Sequence, residues 1–203
     1  MRISIVTAAY RGELMDRVLA SIEGQTFTDW EWIVVNDNSD SIREWYKEKK
    51  GYLDKFRQKV YFIDLPMGKG RFGLFSRNIG AVLASYKRIV FLDDDNEWKP
   101  NHLESLVETE EKTGKVPYCW MHIKGKKPGS TYEKIKKTGF SKQGIDLGCI
   151  LWRREHFDRY GYFRNDAQVT FDWGHMARVA FGEGLHRFEC TKEPTLVFHH
   201  KRY

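Results

Sequence analysis

Cysteine and proline are both scarce in this 203-residue chain, at 3 and 5 residues. The cysteines, Cys119, Cys149 and Cys190, are odd in number, widely spaced and outside any CxxC pair. That pattern argues against a disulfide framework or a zinc knuckle and predicts buried, reduced thiols. Long apolar runs are missing as well, none approaching the ~18 residues of a membrane span. The amino terminus runs from Met1-Arg2 straight into Ile3-Ser4-Ile5-Val6, which reads as a strand and not as a signal peptide. The cytoplasm is therefore the expected compartment. Repeats, low-complexity segments and dividing linkers are absent too, and a length of ~1.4 nominal domains predicts one elaborated domain.

What is present is an ordinary globular composition, 41% hydrophobic and 15% aromatic, rich enough to build a core. The net charge of +6 suits acidic partners such as nucleotide phosphates, nucleic acid or an anionic membrane surface, without choosing among them. Much of the excess is local. Lys124, Lys126, Lys127, Lys134, Lys136, Lys137 and Lys142 share one stretch with a single acid, Glu133. Such a run reads equally as a solvated loop. Only Tyr132 and Phe140 lie inside it, fewer aromatics than a nucleic-acid platform needs, so no nucleic acid partner is expected.

Strand-length apolar runs recur at Ile3–Thr7, Trp32–Asn36, Val60–Leu65 and Ile89–Leu92, with helically spaced apolar residues between them. Leu14, Val18 and Ile22 mark a first helix stopping at Gly24, and Ile42, Trp45 and Tyr46 a second ending near Gly51. Ile79, Val82 and Leu83 mark a third; Leu103, Leu106 and Val107 mark a fourth, ending near Gly114 and opened by an Asn101/Glu104 capping box. This alternation predicts an α/β fold with a mostly parallel sheet flanked by helices. After a boundary near Lys112–Val116 the pattern becomes more α+β: strands at Tyr118–Ile123 and Leu147–Trp152, then a helix over Ala167–Phe181.

Three polar clusters follow predicted strands: Asn36 to Asp40, Gly68 to Gly73, and Asp93-Asp94-Asp95-Asn96. In an open parallel sheet they share the carboxyl edge, where ligands bind. Three adjacent carboxylates repel one another and demand a cation or hydrogen-bond donors. Asp93 and Asp95 alternate onto one side of an extended segment, and hard oxygen ligands suit Mg²⁺ or Mn²⁺. The rival signal is Gly68-Lys69-Gly70-Arg71-Phe72-Gly73, a GxGxxG match with an acid about 20 residues beyond, as in dinucleotide folds. It lies in the third strand-to-helix turn instead of the first, and Pro66 and Met67 intervene.

The residues resemble an inverting family 2 glycosyltransferase of the GT-A fold along nearly the whole chain. Ile3 to Arg11 is similar to the family's first strand and turn, and Glu31 to Ser39 to its nucleotide-binding strand end. Ser76-Arg77-Asn78-Ile79-Gly80 resembles its Arg-Asn-x-Gly segment, and Val90-Phe91-Leu92-Asp93-Asp94-Asp95 its DxD strand. Ile150 to Arg154 with Gly161-Tyr162-Phe163 resembles the acceptor-side segment, and Phe171-Asp172-Trp173 the Glu-Asp-Trp of the catalytic base. Three positions depart from the pattern: Arg11 stands where Asn is common, Asn36 where an acid is, and Phe171 where Glu is.

The resemblance implies a single domain over 1–203, with residues 1–111 the nucleotide-sugar-binding half and 112–203 the acceptor-side half. Thr7, Ala8, Tyr10, Asp37, Arg77 and Asp94 would contact the nucleotide. Asp93 and Asp95, with His199 or His200, would hold Mn²⁺ or Mg²⁺. Asp172 would be the general base, with His175 beside it either a supporting group or simply packing. The expected donor is a nucleotide-diphosphate sugar, UDP favoured over GDP or dTDP, and the acceptor a hydroxyl on a glycan, a lipid-linked or a protein-linked sugar, with room for peripheral membrane contact. Two other readings stay open: a dinucleotide-dependent oxidoreductase and a catalytically inactive nucleotide-sugar-binding relative.

Overall fold

Seven consecutive buried residues, Trp30–Asn36, form strand β2, and an apolar run covered on both faces belongs in the middle of a parallel sheet. The computed structural model describes residues 1–56, 59–68, 73–124, 133–137, 145–164 and 171–199, with backbone alone for 133–136, 171 and 172. β1 (Ile3–Ala9), β3 (Lys59–Asp64) and β4 (Arg88–Phe91) complete the parallel set, and the short β8 (Trp152–Arg153) joins antiparallel. Their order is β3-β2-β1-β4-β8. Pairing of Ala9 with Asn36 and of Val6 with Phe91 brings the carboxyl ends of β1, β2 and β4 to one edge.

The connecting helices are α1 (Met15–Glu23), α2 (Asp40–Leu53), α3 (Leu74–Leu83) and α4 (His102–Thr113). α1 turns Met15, Val18, Leu19 and Ile22 inward, the stripe its spacing predicts. α2 runs through Gly51, because buried Leu53 beyond it still anchors the last turn. α4 ends at Gly114 as expected, yet the predicted capping box is not made. Asn101 Nδ2 donates to Glu193 Oε2 at 2.6 Å, and Glu104 accepts from Thr26 Oγ1 at 2.7 Å. Both side chains serve tertiary contacts that the local pattern does not reveal.

A second sheet, ordered β5-β9-β6-β7, is built from β5 (Glu97–Trp98), β6 (Val116–Lys124), β7 (Glu133–Lys136) and β9 (Phe188–His199). The strand expected over Leu147–Trp152 opens instead as a 3-10 turn at Leu147–Cys149, and only Trp152 enters a strand, β8. Asp146 caps it by accepting from Gly148 N, and Trp98 Nε1 takes the Gly148 carbonyl that a strand neighbour would have used. Two further helices, α5 (Arg154–Tyr160) and α6 (Phe171–Glu183), close the second half. All three thiols are free, and Cys119 and Cys149 are buried as expected, while Cys190 is only partly so. Among the described residues, no helix is long and apolar enough to cross a membrane.

The turn after β1 has no spare room. A Cβ on Gly12 would overlap the main-chain oxygen of Ser41 in α2, and backbone cannot swing aside as a side chain can. Gly12→Ala is therefore expected to destabilise the fold by about 2 kcal/mol, read as a melting temperature lower by about 4–8 °C in calorimetry. An unchanged melting point would mean that α2 shifts freely against this turn.

Candidate active site

The edge shared by β1, β2 and β4 gathers most of the residues singled out from sequence. At its centre is Asp94, buried, whose Oδ2 accepts the backbone N–H groups of Tyr10 at 2.8 Å and Arg11 at 2.9 Å. Its Oδ1 accepts from Arg11 Nε at 3.0 Å and from Nη2. One carboxylate thus pins the β1 turn to the β4 turn. Arg11 Nη1 reaches on to Asp95 Oδ2 at 2.8 Å, and Arg17 Nη2 of α1 takes the Asp95 main-chain oxygen at 2.7 Å. Arg77, buried in α3, holds Asp93 Oδ1 through Nη2 at 2.6 Å and Nε at 3.1 Å.

The compensation demanded by the triple aspartate is therefore supplied in part by the protein's own guanidinium groups. Burial works to lower the Arg11 guanidinium, but its bonds to Asp94 hold it well above its ordinary range. Asp95 is not fully balanced. Burial first, then the charge of Asp93, push its carboxyl above the usual range despite the opposing Arg11.

β2 contributes Asp37, buried at the strand end with its N–H on Ala9 O at 2.9 Å. Asn36 shapes that turn: its Oδ1 accepts Ser39 N, and its Nδ2 donates to Ser39 O and to Asp64 Oδ1 of β3. Tyr10 is 63% exposed at the same edge, an aromatic face open to a ligand. Ala8 lies under Gly73, where a glycine Cβ would come within 3.0 Å of the alanine methyl. Lys69, Gly70, Arg71 and Phe72 of the glycine-rich segment lie outside the described residues.

The Arg-Asn-x-Gly segment now has a physical reading beyond Arg77. Asn78 brackets Phe163, donating Nδ2 to its O at 2.9 Å and accepting its N–H on Oδ1 at 3.0 Å. Gly80 lets α3 lie on β1, since a Cβ there would overlap Val6.

Two predicted positions have side-chain partners within the protein. Thr7 is fully buried, and its hydroxyl accepts from Trp32 Nε1 at 3.0 Å. His199 closes β9 and meets Glu97 Oε1 at 3.1 Å, where Lys124 Nζ also binds at 3.2 Å. Among the described residues, Glu97 is the carboxylate it meets. The His199 hydrogen bond first, then Lys124, draw the Glu97 carboxyl down to about 2 against its burial. Glu97 escaped sequence reasoning because nothing local marks it; only strand pairing of β5 with β9 and β9 with β6 assembles the trio.

Asp172 is the second residue of α6, and its side chain lies outside the described residues, as does His200. His175, further along α6, is core: its ring stacks on Phe157 at 4.6 Å and tilts against Trp152 and Phe163. Of the lysine-rich stretch, Lys137 sits over the Trp120 ring at 5.4 Å, while Lys126, Lys127, Lys142, Tyr132 and Phe140 are outside the description.

The donor set fits a hard divalent cation within limits. Asp95 offers an undercompensated carboxylate with Asp93 close in sequence, and Mg²⁺ commonly takes only one or two carboxylates when substrate phosphates supply further oxygens. Among the described residues no three His, Cys, Asp or Glu side chains converge on a metal position, so protein ligands alone do not complete a coordination shell.

Comparison with known proteins agrees with this arrangement. The uncharacterized glycosyltransferase YwdF of Bacillus subtilis (strain 168) is 27% identical over 206 residues, covering 94% of this chain and 72% of that protein. The GalNAc(5)-diNAcBac-PP-undecaprenol beta-1,3-glucosyltransferase of Campylobacter jejuni is 29% identical, over 53% of this chain and 34% of its own length. The crystal structure of S. aureus TarS 1-349 in complex with UDP-GlcNAc superimposes with a TM-score of 0.77 at 16% identity, covering all of this chain and 60% of that one. The chain thus spans about a third of the Campylobacter protein and 60% of the TarS chain, and the TarS likeness establishes the GT-A type of fold. A family model described as glycosyl transferase family 2 matches residues 4–181. Since that match runs from β1 through the aspartate turn and into α6, the chain belongs to glycosyl transferase family 2.

Proposed function

We propose that the chain transfers a sugar from a UDP-sugar to a hydroxyl acceptor, with inversion, in the cytoplasm. The observation that carries this reading is the convergence of Asp37, Tyr10, Arg77 and the Asp93–Asp95 turn on one edge of a parallel sheet, in a chain of this family. The UDP-GlcNAc complex of TarS, a protein of the same fold, supports UDP as the nucleotide. A hydroxyl on a glycan or lipid-linked sugar suits the acceptor, since the Campylobacter relative is named for a polyprenol-linked one.

In this reading Asp37 accepts from a base N–H, the exposed Tyr10 ring packs against the nucleoside, and Arg77 meets the phosphates or steadies the turn that does. Asp95, with Asp93, would hold Mn²⁺ or Mg²⁺. When bound, such an ion stabilises the charge that develops on the leaving nucleoside diphosphate. Asp172 takes the proton of the attacking hydroxyl, which approaches the anomeric carbon from the face opposite the leaving group and so inverts it.

A thermal-shift panel of UDP, GDP, dTDP, NAD and NADP, each with and without Mn²⁺, tests the reading, because a ligand that binds only the folded state raises its melting temperature. The expected result is a shift with UDP that grows with Mn²⁺. A metal-indifferent shift with NAD or NADP and none with UDP would replace it by the oxidoreductase reading.

A further inference from the structure

Arg11 is the one of the three departing positions that brings in a positive charge, and it makes the densest set of contacts to the aspartate turn. Three of its side-chain nitrogens are engaged together: Nε and Nη2 on Asp94 Oδ1, and Nη1 on Asp95 Oδ2. A planar guanidinium can span two carboxylates in fixed geometry, which a lysine ammonium does not do. Asp94 is occupied on both oxygens, since its Oδ2 carries the Tyr10 and Arg11 N–H groups. Asp93 Oδ1 is held by Arg77. Asp93 is held on Oδ1 alone, so Asp95 together with Asp93 is the part of the turn that can meet an outside cation, and on Asp95 a protein cation already sits.

We propose that Arg11 is an internal latch on this turn: a divalent cation gains Asp95 by displacing Arg11 Nη1, while Nε and Nη2 keep their hold on Asp94. The competing charge lowers the affinity of the nucleotide-free chain for the cation. A nucleoside diphosphate reverses the balance, because its oxygens offer the displaced guanidinium a new anionic partner and give the cation further ligands. Cation and nucleotide then load together instead of cation first. This deepens the UDP-sugar reading and rests on it for the nucleotide's part, whereas the competition between Arg11 and the cation does not need it.

The test is Mn²⁺ binding to the nucleotide-free chain, followed by the electron paramagnetic resonance signal of the free ion. Wild type, Arg11→Gln and Arg11→Lys are compared, each also with Asp95→Asn. Both Arg11 variants are expected to bind Mn²⁺ about tenfold tighter or more, with the gain lost when Asp95→Asn is added. UDP is expected to raise the Mn²⁺ affinity of wild type more than that of either variant. Equal or weaker Mn²⁺ binding in the variants, or a gain that survives Asp95→Asn, overturns the latch. Should a variant fold poorly, a Mg²⁺ titration of the wild type decides: the Arg11 Nη1 resonance should move with Mg²⁺ as its bond to Asp95 is lost, and an Nη1 resonance unmoved at saturation sinks the idea. A gain in Mn²⁺ affinity in a chain that never binds UDP would keep the latch and remove the UDP reading.

Discussion

Asp172→Asn is expected to lower turnover by ~10²- to 10⁴-fold, the range for losing a general base, while UDP affinity stays within about twofold of wild type. The separation follows from where the residues lie. Asp37 follows β2, Arg77 lies in α3 and the aspartate turn follows β4, whereas Asp172 is in the first turn of α6 in the other half of the chain. Asparagine keeps the shape of the side chain and removes its capacity to accept a proton. The helix itself is seated by buried His175, Met176 and Val179. Calorimetric UDP titration alongside single-turnover rates reads both quantities. A variant that kept most of its rate would require the base to be reassigned, and one that lost UDP binding too would place Asp172 on the donor side.

Acidification from pH 7.5 to pH 5 is expected to remove on the order of 4 kcal/mol of folding stability through two histidines. Burial, chiefly, lowers His156 to about 4 and His175 to about 3. In the unfolded chain histidine protonates near ~6.5. Below that value the unfolded state binds more protons than the native one, so the contribution is complete above it. It drains as pH falls toward 4 for His156 and toward 3 for His175, at ~1.4 kcal/mol per unit for each.

Neighbouring charges act in the second rank, Glu183 raising His156 and Arg178 lowering His175. Glu97, held down at about 2, adds its own loss only at still lower pH. His156 Nδ1 accepts the Arg153 N–H at 3.3 Å, whereas the His175 ring is met by the main chain of Gly161, which works against burial by favouring the charged form. His175→Phe should therefore keep the stack on Phe157, stay within about 1 kcal/mol of wild type at pH 7.5 and lose roughly half of the acid sensitivity. Urea midpoints at several pH values decide, and parallel profiles would show that His175 titrates normally.

The sheet was legible because its strands are short apolar runs with acidic or polar ends, a pattern that needs only neighbours in sequence. The four parallel strands and four following helices lie within a few residues of where periodicity puts them. The second half was less so. Leu147–Trp152 has strand composition, but Trp98 and Asp146 claim its backbone groups from a distance. The same limit applies at the site. Asp93–Asp95 and Asp37 announce themselves as carboxylates after strands, yet Arg11 could be seen only as a departure from a pattern. Its pairing with residues 83 and 84 positions away is a fact of the β1–β4 register. Thr7 and His199 were placed from motif position alone, and partners far along the chain, Trp32 and Glu97, decide what their side chains do.

The two halves of the chain do not stack side by side; they interleave. β8 from the second half extends the first sheet by pairing with Arg88 and Ile89, and β5 from the first half enters the second sheet by pairing with Val197 and Leu196. Asn78 adds a third tie, to Phe163. For evolution this makes the second half a poor unit of exchange. A recombined half would have to arrive with both strands in register and with a loop that fits the Asn78 bracket.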